Sequence, residues 1–255
     1  MPACFFKKTN GKKYKGIDEH ITSTENSEVI NMKNKLLTAL PACILALSGI
    51  GAVHAASTHI ATLSGSSASQ YESIETVNNN QIPADALKTA LKGYQWAVKN
   101  GKVQNKNVLT VVDFSIPSKE KRLWLIDLNS HKVLMSMHVA QGSNPHFSNA
   151  AGSKASSLGV FTTGDVYSGE HGYSEHVNGL EQGINNNAAS RALEVHRAWY
   201  VTPSFVQKYG RTGHSWGCFA VNPARATQYI NYTKNGSVIF AYASIEQRDP
   251  NIATV

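Results

Sequence analysis

Cys218 lies in Gly213-His214-Ser215-Trp216-Gly217-Cys218-Phe219-Ala220-Val221, among small and polar residues rather than inside an apolar run. A thiol in that setting reads as a nucleophile. The thiolate is the reactive form, so a pKa of about 8.5 must be lowered, or the proton removed, by nearby positive charge, oriented N–H groups or a base. His196, in Ala192-Leu193-Glu194-Val195-His196-Arg197, is the candidate base. An imidazole can take the thiol proton or hold the thiolate in an ion pair. Gly217 keeps the backbone N–H groups beside the thiol clear of side chains, which suits an oxyanion hole. Ser215 is placed to hydrogen-bond within the loop and fix its shape. Glu194 precedes His196 by two residues, on the same face of an expected strand, and either orients the ring or points to solvent.

Three rival chemistries are weighed against this pair. Gly213-His214-Ser215-Trp216-Gly217 matches G-x-S-x-G, but that nucleophile elbow needs an acid and then a histidine downstream, and no histidine follows His214. Ser118-Lys119-Glu120-Lys121 matches S-x-x-K, yet it sits in a charged turn between two expected strands with no K-T-G. A zinc site is the stronger competitor: His171, His176, His196 and His214 are expected to be able to converge with Glu175 or Glu181, although none is arranged as H-E-x-x-H.

The elements that must position these groups follow from the hydrophobic pattern. Pro83 opens an amphipathic helix with Leu87, Leu91, Tyr94 and Val98 at helical spacing, and Asn100-Gly101 closes it, so a helix over 83–101 is expected. Beyond it come short apolar runs separated by turn residues: Val108 to Phe114, Leu123 to Leu128, Val133 to Val139, Gly159 to Val166, Leu193 to Val201 and Val238 to Tyr242. Asn129-Ser130 predicts a hairpin between two of them. The pattern predicts a mainly β domain over 102–255, a β-sandwich or partly closed barrel with one or two helices. Gly142 to Asn187, rich in Gly, Ser and Asn, reads as a long functional loop region carrying His146, His171 and His176.

The whole chain sets the setting. With 42% hydrophobic and 16% charged residues it is globular in composition. Seven lysines and four acids lie before residue 56, which leaves a formal charge near +4 on the remainder. That mild basicity suits an anionic polymer and does not argue for nucleic acid. Met32-Lys33-Asn34-Lys35, the apolar stretch from Leu36 to Val53, and Val53-His54-Ala55 have the form of a signal peptide over 32–55, with cleavage after Ala55. Residues 1–31 are expected to be a non-native upstream extension, with Met32 the true start. Left uncleaved, the apolar stretch would be a membrane anchor. Cleavage removes Cys4 and Cys43, leaving a single cysteine in a compartment where cysteines usually pair. Residues 56–82, rich in Ser, Thr, Asn and Gln, read as a polar linker. Nothing in the pattern bears on oligomeric state.

From Val108 to Tyr242 the chain resembles the YkuD-type L,D-transpeptidase catalytic domain, in the murein transpeptidase subfamily. The resemblance rests on Val112-Asp113-Phe114, Arg122 to Leu128, Phe147-Ser148-Asn149, Ser156-Ser157-Leu158-Gly159, His171-Gly172-Tyr173, Gly179-Leu180-Glu181, Ser190-Arg191-Ala192 and Ser215-Trp216-Gly217-Cys218, in that order. It implies an exported cysteine acyltransferase of the periplasm or cell envelope, acting on peptidoglycan stem peptides, without metal or cofactor. Cys218 matches the nucleophile, His196 the general base, and Ser215 and Gly217 the motif that shapes the loop. Arg211, Arg197, His214, Trp216 and Tyr173 are the candidates for contacting substrate. The chain departs from the family at three places: Trp216 where the broader family has His, Arg197 where glycine commonly follows the base, and Phe219 where proline is frequent. A non-catalytic wall-binding module and a secreted cysteine peptidase are the alternatives.

Overall fold

The computed structural model describes residues 65–244. The expected upstream extension, the signal peptide and the first residues of the linker lie outside the described residues. Eight strands form one sheet: β1 (Val108–Asp113), β2 (Leu123–Asp127), β3 (Lys132–Met137), β4 (Gly159–Gly169), β5 (Gly172–Gly179), β6 (Glu194–Arg197), β7 (Phe219–Val221) and β8 (Val238–Tyr242). Their order across the sheet is β3-β2-β1-β8-β4-β5-β6-β7. An antiparallel bridge from Val139, just past β3, to Val221 on β7 joins the two edges, so the sheet nearly closes into a barrel. Among the described residues four α-helices accompany it: α1 (Gly65–Val77), α2 (Ala84–Lys99), α3 (Pro203–Tyr209) and α4 (Pro223–Thr233). The fold is mainly β, as the pattern of short apolar runs implied.

β1 reads as an unbroken apolar run because both of its faces are covered. Leu109 and Val111 belong to a cluster with Leu87 and Leu91 of α2, while Val108 and Val112 belong to one with Tyr229 and Ile230 of α4. α2 buries Leu87, Ala90, Leu91, Tyr94 and Ala97 at the spacing of a helical stripe. The β2–β3 hairpin turns where Asn129-Ser130 signalled it: the Asp127 carboxylate accepts from the Asn129 and Ser130 backbone N–H groups.

Two features differ from the sequence reading. The described part of the polar linker holds α1, which buries Ile74 against α2 and lays Tyr71 beside the same cluster. Its low overall apolarity hides a single anchoring residue. The expected loop region from Gly142 to Asn187 contains, besides the expected run from Gly159 to Val166, the last three residues of β4 and all of β5. β5, Gly-Tyr-Ser-Glu-His-Val-Asn-Gly, buries Ser174, Glu175 and Val177, so polar side chains occupy positions where the alternation would need apolar ones to be visible.

Glu175 illustrates this. It is fully buried on the α4 face of β5, where Thr233 donates its hydroxyl to the carboxylate at 2.9 Å. Desolvation pushes its pKa up to about 8, against which the Thr233 hydrogen bond acts. A carboxyl raised in the folded state favours folding most below its unfolded pKa, and that contribution is lost as pH rises toward 8. Glu175→Gln, a neutral isostere, is therefore expected to be near neutral at pH 5 and stabilising at pH 8. The pH-dependent difference should be on the order of 3 kcal/mol, read by urea unfolding of both proteins at the two pH values.

Candidate active site

β6 and β7 run parallel, with Val195 opposite Phe219 and His196 opposite Ala220. Cys218 leads directly into β7, so the thiol and His196 come from adjacent strands, two positions apart in register. His196 is 2% exposed. Its Nδ1 lies 3.0 Å from the Arg197 carbonyl. A carbonyl oxygen can only accept, so Nδ1 carries the proton and Nε2 keeps its lone pair. That Nε2 is buried with no hydrogen-bond partner. Burial lowers the His196 pKa to about 4; the Arg197 carbonyl opposes this and nearby His171 adds to it. The imidazole is thus neutral at pH 7, a proton acceptor rather than half of an ion pair.

The Cys218 loop is fixed from inside. Ser215 donates its hydroxyl to the Cys218 carbonyl at 2.8 Å and accepts from the Gly217 N–H at 3.1 Å. The Gly217 N–H is therefore already engaged. Gly217 adopts φ 119°, and a Cβ there would meet the Ala155 carbonyl at 2.5 Å. The loop is also seamed to the chain beyond β3: Ser215 N–H donates to the Gln141 carbonyl, and Ser143 N–H to the Ser215 carbonyl, both at 2.9 Å. Gly142 lies in that seam, where a Cβ would come within 2.4 Å of the Lys154 carbonyl. Arg191 braces the neighbouring chain, donating to the Ser148 and Ala155 carbonyls and to the Ser157 hydroxyl. Cys218 itself is 1% exposed and directs its thiol toward the Ala192 carbonyl at 3.8 Å.

Around His196 the sheet gathers further polar groups. His176 pairs with Glu194 across β5 and β6, which places both on the His196 face. The Glu194 carboxylate accepts from the Tyr167 hydroxyl, and Tyr167 stacks on His176. Burial pushes the Glu194 pKa up, opposed by Tyr167, His171 and His176. His171, at the tip of the β4–β5 hairpin, stacks on His196 with ring centroids 4.3 Å apart. Arg197 Nε donates to the His171 carbonyl at 3.0 Å and ties that tip to β6. Glu194 does not hold His196 by its Nδ1, which belongs to the Arg197 carbonyl.

The remaining candidates are dispersed. Arg211 folds back to donate to the Thr212 carbonyl and to His214 Nε2, both at 3.0 Å. Trp216 is half-buried under the Lys154 ammonium, 4.9 Å from the ring centroid. Tyr173 falls on the same face of β5 as Glu175, opposite His196, and bonds Asn231 of α4. Strand alternation decides that placement, and β5 was not legible as a strand. The histidines do not gather with Glu175 or Glu181: Glu175 faces α4, and Glu181 accepts from the Val160 N–H at the start of β4. Tyr167 escaped the sequence reading because its role depends on the same hairpin. A cavity of about 470 Å³ opens beside the β4 bulge, lined by Thr163, Asp165, His176, Leu193 and Gly236 among others. Neither Cys218 nor His196 is among the residues that line it. Ser215→Ala should strand the Gly217 N–H and Cys218 carbonyl, costing about 1–3 kcal/mol in urea unfolding.

No curated protein matches the chain significantly. Among solved structures it is similar to an L,D-transpeptidase from Mycobacterium smegmatis, at 20% identity and TM-score 0.36, covering 54% of this chain and 59% of that one. It is similar to an L,D-transpeptidase from Stackebrandtia nassauensis at 16% identity and TM-score 0.34, covering 72% and 78%. It is also similar to the helical cell shape determining protein Pgp2 from Campylobacter jejuni at 9% identity and TM-score 0.38, covering 63% and 58%. The chain spans about three fifths of the mycobacterial structure's length. The L,D-transpeptidase catalytic domain family matches residues 78–242, well over half of the chain and all of the strands, and the chain belongs to that family.

Proposed function

We propose that this protein is an exported cysteine acyltransferase that acts on peptidoglycan stem peptides in the cell envelope. The observation that carries the reading is the buried, unpartnered Nε2 of His196 on the strand beside the one Cys218 enters. Family membership supports the substrate class. His196 Nε2 takes the thiol proton as Cys218 Sγ attacks the carbonyl of the residue preceding a terminal D-alanine. The C–N bond breaks, and the proton on His196 passes to the departing amine. A thioester remains on Cys218. An amine of a second stem then resolves it to a cross-link, or water resolves it to a trimmed peptide, so transpeptidase and carboxypeptidase differ only in the acceptor. Ser215 and Gly217 hold the loop in shape. With the Gly217 N–H already bonded to Ser215, the oxyanion falls to another donor. Arg211, His214 and Trp216 lie in or beside the nucleophile loop and are proposed to contact substrate, as is Arg197 through the hairpin tip.

Access requires movement, because Cys218 and His196 are both almost fully buried. The hairpin tip carrying His171 covers the base, and its lifting is proposed to admit the stem peptide. Burial of the thiol is also what favours the second reading, a wall-binding module without turnover. Incubating the full-length protein with a disaccharide tetrapeptide separates the two. The enzyme reading expects released D-alanine and a Cys218 acyl adduct by intact mass; binding to sacculi with no adduct would leave the module. Cys218→Ser should abolish the adduct, and His196→Ala should slow its formation by about 100-fold or more.

The pH dependence is a second test. A base titrating near pH 4 stays unprotonated at pH 5.5, so the acid limb of kcat/KM should fall below about pH 5. An acid limb near 6.5, the ordinary imidazole value, would instead mean that His196 is solvated when substrate binds.

A further inference from the structure

His171, Glu194 and His196 each offer a ligand atom, and those atoms all lie within 4.8 Å of one another. The edges of a tetrahedron built on zinc bonds of about 2.0–2.1 Å are roughly 3.4 Å, so small side-chain movements would bring the three onto one ion. His171 is able to make its share of that movement, being at the tip of a hairpin. The Nε2 atoms of His171 and His196 are both buried without a hydrogen-bond partner, and the His196 residue is 2% exposed. Buried ring nitrogens left unbonded are uncommon and call for an explanation. The outer contacts have the form that orients metal ligands: His196 Nδ1–H donates to a backbone carbonyl, and the Tyr167 hydroxyl donates to one Glu194 oxygen, leaving the other for a cation.

We infer that His171, Glu194 and His196 form a binding site for a divalent transition cation, of which zinc is the natural probe. Two imidazoles and one carboxylate suit zinc and leave a fourth position for water. Occupation takes the Nε2 lone pair that the acyl-transfer reading gives to the Cys218 proton, and it pins the hairpin tip to β6. Bound cation therefore holds the protein in a closed, inactive form. The inhibitory consequence rests on the acyl-transfer reading; the binding site does not.

Isothermal titration of ZnCl2 into the untagged full-length protein, with Co2+ absorption as a spectroscopic report on coordination, tests the site. Expected are one zinc per chain, weakening of about 100-fold or more in His171→Gln and in Glu194→Gln, and retained binding in Cys218→Ser. Zinc should also suppress D-alanine release in the parent, reversibly by chelator, while His171→Gln shows far less suppression relative to its own metal-free rate. Absence of one-to-one binding tighter than about 1 mM overturns the site. So does loss of binding in Cys218→Ser with retention in His171→Gln, which would place the metal on the thiolate. If zinc binds as described but no D-alanine is released with or without it, the acyl-transfer reading fails and the metal site stands.

Discussion

A seam of main-chain hydrogen bonds between residues 139–143 and 215–221 ties this molecule together beside Cys218. It joins the two edges of the sheet and at the same time sets the position of the loop that presents Cys218. Its tolerances are narrow. Gly142 and Gly217 both approach backbone carbonyls too closely for a side chain, and Ser215 occupies the small space between them with a hydroxyl that both donates and accepts. Arg122 anchors the other side of the seam: it is 1% exposed and donates to the Val139 and Ile116 carbonyls and to Gln141. Burial lowers its pKa only to about 10, so a full positive charge remains where several carbonyls converge.

The sheet sorts its buried polar groups by face. On the α4 side, Glu175 bonds Thr233, and Thr110 shares a hydrogen bond with Tyr229. On the other side, Glu194, His196, Tyr167 and His176 come together within β4, β5 and β6. One residue of register separates Glu175 from His176, and it decides which set each joins. The same period of two separates Tyr173 from His196.

Much of this was legible in the sequence. β1, β2, β3, β4, β6 and β8 show as apolar runs and α2 as a stripe, whereas β7 is only three residues long and shows no run of its own. Residue type singles out the cysteine loop and His196 in the sequence, and the structure sets them on adjacent strands. The rest was hidden for definable reasons. β5 carries buried serine and glutamate where the alternation needs valine or leucine, so the sequence there reads as loop and hides the hairpin's second strand and its tip. With the hairpin unseen, His171 had no reason to be placed over His196, and Tyr167 none to be noticed at all. α1 rests on Ile74 and Tyr71 in an otherwise polar stretch, too few apolar positions to define a period. Glu194 was seen as either orienting the ring or facing solvent, and the structure gives it a third role, bonded to a tyrosine on a neighbouring strand.

The near-complete enclosure of Cys218 has a further consequence for the chemical durability of the protein. A thiol that is 1% exposed is met by few molecules from solvent. Peroxide and similar oxidants must reach the sulfur before it can pass to sulfenic acid and beyond it to the irreversible acids, and burial restricts that approach. For this sulfur, access rather than the supply of oxidant sets the limit on chemical damage.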